Sequence, residues 1–197
     1  MIRTVISIVL SVLLVCTMCF AFTTTYLERN RSGGWSSVCT LTDADKKWIE
    51  ETYSQCETIE ELLYAINEDI CTEYTYVDKF YFLNMQHFNF SEFIQSKEGL
   101  CFDFACYTKC VALYMSEVKG WNTKVYVADL RTPKGAHSYN FITYVDDNGN
   151  EVRYYTDMTS NLYRYNNNKE VVVFSSIGEL SFEEYASKYD EVIFNYH

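Results

Sequence analysis

The sequence has few basic side chains: 16 lysine and arginine residues stand against 27 acidic ones, and the formal net charge is −11 at pH 7. No dense run of lysine or arginine occurs along the chain. A surface of this kind repels nucleic-acid phosphates and anionic lipid. The composition therefore argues against a nucleic-acid partner, and we interpret the acidity as a contribution to solubility rather than as a sign of the substrate.

The chain also lacks internal repeats and low-complexity tracts. Its 197 residues are enough for one core of ordinary size and too few for two full domains. Apolar residues make up 48% of the chain and aromatic residues 17%, which is far from the composition of disordered proteins. We therefore expect one globular domain.

The N-terminus carries the one long apolar run, from Val5 to Phe22. Its strongest stretch has the length of a signal-peptide core, and the small residues Cys19 and Ala21 flank Phe20 at a cleavage site. The whole run is also barely long enough to cross a bilayer as an anchor. We predict that residues 1–22 are a signal peptide or a membrane anchor, with cleavage favoured, and that the rest of the protein is exported.

Eight cysteines are present, and two of them, Cys16 and Cys19, lie in this targeting segment. The other six allow 15 disulfide connectivities, and their number alone does not decide which of them are paired. They contain no CxxC pair, so a zinc site is not favoured and no metal is expected. Cys106 and Cys110, four residues apart on one helix, are expected to pack on its buried face.

The first half of the chain after the targeting segment has helical patterns. We predict that residues 23–41 are a polar tether and that residues 42–197 are the domain. We predict helices that begin near Thr42 or Asp43, at Thr58 with Glu61 in a capping box, and over Phe102–Lys119. The aromatic stretch from Tyr74 to Ser96 is predicted to pack into the core under a long loop, with the wall of a substrate cleft as the alternative.

The second half has the two-residue period of strands. We predict strands over Lys124–Leu130, His137–Asp146, Glu151–Asp157, Glu170–Phe174 and Val192–Tyr196, and a short helix over Phe182–Lys188. Helices followed by antiparallel strands are typical of the α+β class.

Three residues have the properties of a catalytic triad. Cys101 lies where a loop becomes a helix, so the amide dipoles of the first turn face its sulfur and favour the thiolate. Gly99, two residues earlier, would let a substrate approach the backbone closely. His137 opens a strand and could act as a general base, with Asp157 on the partner strand as the acceptor that orients its ring.

The hairpin between His137 and Asp157 tests this arrangement. A two-residue turn at Asn148-Gly149 would put the two side chains on opposite faces of the sheet. A three-residue loop with Gly149 in the left-handed conformation would make them diagonal neighbours on the same face. We therefore predict a bulge, at the turn or between the turn and the site.

Three segments resemble the motifs of the transglutaminase-like superfamily. Gly99–Ala105 (GLCFDFA) is similar to its Gly-Val-Cys-x-Asp-Tyr/Phe-Ala signature, His137–Asn140 (HSYN) to its His-Ala-Trp-Asn segment, and Thr156–Thr159 (TDMT) to its Val-Asp-Pro-Thr. The order of the motifs agrees, and the resemblance covers roughly residues 58–162. Tyr139 and Met158 depart from the family pattern at positions outside the triad.

This resemblance implies a papain-like core, with N-terminal helices packed on an antiparallel sheet. It implies that Cys101 attacks an amide or peptide carbonyl, that His137 moves the proton, and that Asp157 orients the imidazole. A thioester would form on Cys101 and then be released by water or an amine. We expect a protein or peptide substrate, no cofactor, and a secreted or membrane-anchored location. The prediction is a cysteine peptidase or amidase; a protein-glutamine amine transferase and a non-catalytic binding module are the alternatives.

Overall fold

The computed structural model describes residues 24–26, 39–77, 88–132, 135–146, 148–168 and 193–196. Its helices and antiparallel sheet form the α+β class that the sequence predicts. In chain order the elements are β1 (Thr24–Tyr26), β2 (Cys39–Leu41), α1 (Asp43–Tyr53), α2 (Ile59–Glu73), β3 (Thr75–Tyr76), α3 (Phe90–Ser96), β4 (Glu98–Gly99), α4 (Cys101–Lys119), β5 (Thr123–Thr132), β6 (Gly135–Val145), β7 (Glu151–Thr156), α5 (Met158–Asn168) and β8 (Ile193–Tyr196).

The main sheet has the strand order β7-β6-β5-β8, and neighbouring strands are antiparallel throughout. Three of these strands follow one another along the chain, and β8 returns from the C-terminus to pair with β5. Each of the four corresponds to a predicted strand, with bounds that differ by at most two residues. The predicted strand Glu170–Phe174 and helix Phe182–Lys188 lie outside the described residues.

Helix α4 lies in the middle of the fold. Its buried residues occur around its whole circumference, which is the pattern of a core helix rather than a surface helix. It contacts β5 and β6 of the main sheet as well as helices α1, α2, α3 and α5. It ends as predicted at Gly120, whose positive φ of 73° suits glycine and whose N–H donates to the Ser116 carbonyl. Cys101 therefore starts an element held by packing on several sides.

The caps of α1 and α2 explain where those helices begin. Thr42 forms a full capping box with Asp45 at the start of α1. At α2 the Thr58 hydroxyl accepts from the Glu61 N–H, as predicted. The Glu61 carboxylate, however, accepts from the N–H of Glu57 at 2.7 Å, one residue before the cap. The predicted capping box of α2 is therefore only half formed.

The aromatic stretch contributes mainly to the core. Tyr74, Phe88, Phe90 and Phe93 are all buried, and Phe93 packs against several neighbouring rings at centroid distances of 4.9 to 5.6 Å. This confirms the core-packing interpretation for these four residues. The short helix α3 within the stretch was not predicted, and residues 78–87 lie outside the described part of the chain.

The hairpin between β6 and β7 has the register that the three-residue loop predicts. Asn140 pairs with Thr156 and Val145 with Glu151. The Gly149 N–H donates to the Asp146 carbonyl at 2.9 Å, and Gly149 has a φ of +83°. The left-handed glycine and the same-face register are therefore confirmed.

The segment before α1 contains two short strands. Strands β1 and β2 pair antiparallel, so the ends of the predicted tether form a small sheet. Leu41, which the sequence assigns to the tether, is completely buried in the core. Residues 1–22 lie outside the described residues, and no helix in the described part is long and apolar enough to span a bilayer.

Cys110, on α4, takes part in a disulfide bond. Its predicted position on a buried face is confirmed, and so is that of Cys106. Cys56, Cys71 and Cys101 carry free thiols.

Candidate active site

Cys101 is the first residue of α4, where the N–H groups of the first turn have no partner within the helix. Its side chain is partly exposed, whereas the free thiols of Cys56 and Cys71 are buried. Burial raises the pKa of Cys71 to about 11 and also raises that of Cys56. Among these three thiols, Cys101 is the one that a substrate can reach.

The backbone before Cys101 is packed tightly. A Cβ atom at Gly99 would lie 2.6 Å from Cε2 of Phe93 and 2.9 Å from Cβ of Asp103. Glycine is therefore required here by the core itself, since Gly99 is buried. The prediction that Gly99 admits a substrate has no support in these contacts.

Asp103 fixes the start of α4. Its carboxylate accepts a hydrogen bond from the Leu100 N–H at 3.0 Å, the residue just before the helix. Burial raises the pKa of Asp103, and the Leu100 hydrogen bond opposes that rise. The Asp103 side chain thus caps the helix at Leu100 and helps to fix the position of Cys101, the residue that follows.

His137 and Asp157 come together as predicted. The Nε2 atom of His137 lies 2.8 Å from Oδ2 of Asp157. The Asp157 side chain is 2% exposed and the His137 side chain 21% exposed. A short contact between a ring nitrogen and a buried carboxylate fixes the orientation of the imidazole and favours its protonated form.

The other side of His137 faces the thiol. Cys101 is close enough to His137 to raise the pKa of the imidazole, and because Asp157 takes Nε2, Nδ1 is the ring nitrogen left for the sulfur. Burial lowers the pKa of His137, but the charges and hydrogen bonds of Asp157 and Cys101 outweigh it and raise the pKa to about 11. The imidazole therefore bridges a carboxylate and a thiol, which is the order of groups in a Cys-His-Asp triad.

Asp157 has a second role as the cap of α5. Its Oδ1 atom accepts from the Ser160 N–H at 3.0 Å, and its Oδ2 atom accepts from the Ser160 hydroxyl at 2.8 Å. The Asn161 N–H donates to the Asp157 carbonyl, which is the first hydrogen bond of the helix. These contacts hold the carboxylate in one orientation toward His137.

Two buried asparagines connect the site to its surroundings. The Asn140 amide donates to the Ala105 carbonyl at 2.8 Å and to the Tyr126 carbonyl at 3.2 Å, which ties β6 to α4 one turn after Cys101. The Asn161 amide donates to the Asn67 side-chain oxygen at 2.8 Å and ties α5 to α2. These three hydrogen bonds are buried or partly buried, and they set the relative positions of the elements that carry Cys101, His137 and Asp157.

The residues that depart from the family pattern lie beside the triad. Tyr139 and Met158 are both buried. The Tyr139 ring lies 6.0 Å from that of Tyr155, and the Thr156 hydroxyl contacts the Met158 sulfur at 3.6 Å.

Sequence reasoning missed Ser160 and the helix that it belongs to. Asp157 at the cap and Ser160 three residues later have the spacing of an N-cap and its N3 partner, so the signal was present. Across the described residues, no group of three or more histidine, cysteine, aspartate or glutamate side chains could hold a metal ion.

No family model matches this chain, and a search of the curated proteins finds no match.

Proposed function

We propose that this protein is a cysteine-dependent hydrolase of amide or peptide bonds with a transglutaminase-like, papain-like core. The observation that carries the proposal is the bridging position of His137 between the Cys101 thiol and the Asp157 carboxylate. This order of groups allows one residue to attack, one to move a proton and one to hold the imidazole in place.

The proposed reaction begins with the Cys101 thiolate and the His137 imidazolium. The sulfur attacks the carbonyl carbon, and N–H groups at the start of α4, including that of Cys101, stabilise the negative charge on the oxygen. The C–N bond breaks as the imidazolium gives its proton to the departing amine, which leaves a thioester on Cys101 and a neutral His137.

Water completes the proposed cycle. His137 takes a proton from a water molecule that attacks the thioester carbonyl, the C–S bond breaks, and the carboxylic acid product leaves. The thiolate and imidazolium are then restored. A primary amine in place of water would give a new amide, so hydrolysis and amine transfer differ only in which nucleophile reaches the thioester.

We propose an exported location for this enzyme. The apolar run at residues 5–22 and the disulfide at Cys110 support it, since disulfides persist mainly in oxidising compartments. The acidic net charge of −11 agrees with a protein or peptide substrate rather than a nucleic acid.

The decisive experiment is an activity screen with glutamine-containing peptides, with and without a fluorescent primary amine, followed by mass spectrometry. We expect amine-independent hydrolysis, a thioester on Cys101, and a loss of at least about 10³-fold in Cys101→Ala. Cys56→Ala, which removes a thiol outside the site, serves as the matched control and should retain turnover. Turnover that survives Cys101→Ala would refute the proposal, and incorporation of the amine would indicate the transferase instead.

Site-specific alkylation provides a test that needs no substrate. Iodoacetamide at pH 7 should modify Cys101 well before Cys71, whose buried thiol has a pKa raised to about 11. His137→Gln should slow the modification of Cys101 and leave Cys71 unaffected. Equal rates at the two cysteines would contradict an activated thiol.

A further inference from the structure

An uncharged groove of about 300 Å³ lies beside the proposed triad. It is lined by Tyr76, Thr159, Ser160, Leu162, Tyr163 and Asn166. None of these described lining residues is charged, although the chain as a whole has a net charge of −11. The groove therefore differs in character from the bulk of the molecule.

The groove reaches the site from the Asp157 side. Ser160 lines it and donates its hydroxyl to Oδ2 of Asp157 at 2.8 Å, and the same oxygen lies 2.8 Å from Nε2 of His137. One wall of the groove is thus a residue in direct contact with the carboxylate that orients the imidazole.

The groove also adjoins the segment that leads into Cys101. Tyr76 pairs with Gly99 in the small parallel sheet, and the Val77 N–H donates to the Gly99 carbonyl at 3.0 Å. Gly99 is two residues before Cys101. Tyr76 on one wall and α5 on the other thus lie on segments adjoining two members of the triad.

Two tyrosines leave apolar surface unburied at this place. Tyr163 is 71% exposed and Tyr76 is 42% exposed, and both line the groove. Tyrosine provides a large rigid contact surface at low cost in conformational entropy, which is why exposed tyrosines are common at binding sites. Tyr76 belongs to the aromatic stretch from Tyr74 to Ser96, for which the wall of a substrate cleft is the alternative to core packing.

We infer that this groove is the substrate subsite that receives an aromatic or large aliphatic side chain of a peptide. The inference rests on the proposed function, because a subsite requires a reaction beside it. The volume lies at the lower limit for ligand pockets, which suits one side chain rather than a whole cofactor. The uncharged lining disfavours lysine, arginine, aspartate and glutamate side chains, which would lose hydration without gaining a partner.

The test uses acetylated tetrapeptide coumarin amides that carry phenylalanine, leucine, alanine, lysine or glutamate at each position in turn. We expect the wild-type enzyme to prefer phenylalanine and leucine at one position. The Tyr163→Ala substitution should reduce the ratio of kcat/KM for the phenylalanine peptide over the alanine peptide by about tenfold. Tyr163→Phe, which keeps the ring, should preserve that ratio.

Tyr64→Ala is the matched control, because Tyr64 is a 40% exposed tyrosine that does not line the groove. It should leave the phenylalanine-to-alanine ratio as in the wild type. Cleavage that depends on Cys101 but shows the same ratio in Tyr163→Ala as in the wild type would refute the subsite and leave the proposed function standing. A complete lack of Cys101-dependent cleavage with every peptide would refute both.

Discussion

Asp157 combines two tasks that are usually given to different residues. Its Oδ2 atom holds His137, and its Oδ1 atom accepts a hydrogen bond from the Ser160 N–H. A substitution at this position therefore has to be chosen so that the effect on the reaction is separated from the effect on the fold. Asparagine serves this purpose, because it caps helices about as well as aspartate but carries no charge.

We predict that Asp157→Asn lowers kcat/KM by about 10²- to 10⁴-fold, because the imidazolium loses the negative charge that stabilises it. The cap of α5 should survive, since the amide oxygen can still accept from the Ser160 N–H, but the stability that the charged His137–Asp157 pair provides at neutral pH is lost. Asp157→Ala removes the cap as well and should cost about 1 kcal/mol of stability in addition. Turnover of Asp157→Asn at the wild-type rate would contradict the orienting role.

The raised pKa of His137 predicts a pH-dependent contribution to stability. The ordinary value is 6.5 and the value in the fold is about 11, so the folded state binds the proton more tightly than the unfolded state. The stabilisation is complete below pH 6.5 and is lost as the pH rises toward 11. The difference in free energy of unfolding between the wild type and His137→Gln should therefore shrink from pH 6 to pH 10.

Urea unfolding of both proteins at several pH values measures this difference, and groups that titrate equally in the two proteins cancel. A difference that stays constant or grows with pH would show that His137 is not held in its protonated form.

At the scale of elements, the hairpin between β6 and β7 decides whether His137 and Asp157 lie on the same side of the sheet. Gly149 has a φ of +83°, and no atom lies within 4 Å of where its Cβ would be. Glycine is therefore required here for its backbone conformation and not for lack of space. The cost of a substitution depends on how well the new residue tolerates a positive φ.

We predict that Gly149→Ala lowers the free energy of unfolding by about 1–2 kcal/mol, because alanine disfavours the left-handed conformation. Gly149→Asn should cost less, since asparagine tolerates that conformation better. Urea denaturation of the two variants checks the order. An equal loss in both variants, or none, would show that the turn does not depend on the left-handed residue.

The sequence predicts the elements whose own residues determine them. Helix α2 has a capping threonine and a regular apolar stripe, and the β6–β7 hairpin has an Asn-Gly turn. Helix α3 has only seven residues within an aromatic stretch, so its helical period is too short to recognise. Helix α5 ends in three asparagines, which are weak helix formers, and its stability comes from the Asp157 cap and the bond between Asn161 and Asn67.

The triad residues could be named from the sequence because each lies at the boundary of a recognisable element. Their arrangement in space depends on the register between β6 and β7, and the apolar pattern of the sequence does not decide that register. Ser160 had a local signal in its spacing from Asp157, but the groove had none, because it exists only once α5 packs against α2 and α4 and β3 pairs with β4. Contacts between segments far apart in the sequence leave no local pattern.

At the scale of the whole molecule, the boundary of the folded unit can be tested at Leu41. This residue is completely buried among core residues, although it lies in the predicted tether. We predict that Leu41→Ala lowers the free energy of unfolding by about 2–5 kcal/mol, because it leaves a cavity in the core. Thr40→Ala, at an exposed neighbouring position, should change it by less than about 0.5 kcal/mol.

Urea denaturation measures both variants. A loss at Leu41 no larger than that at Thr40 would place the edge of the cooperative unit after residue 41. A large loss would show that the small sheet of β1 and β2 belongs to the same unit as the triad.

The double duty of Asp157 also bears on the order of events during synthesis. A chain emerges from the ribosome with its N-terminus first, so Cys101 is exposed well before the carboxylate that orients its base. The carboxylate is locked in place only when Ser160 and Asn161 have emerged and the first turn of α5 has closed. In the proposed enzyme, the nascent chain thus carries the Cys101 thiol without His137 and Asp157 in place until a late stage, and the last contacts to form are those that would make the thiol reactive.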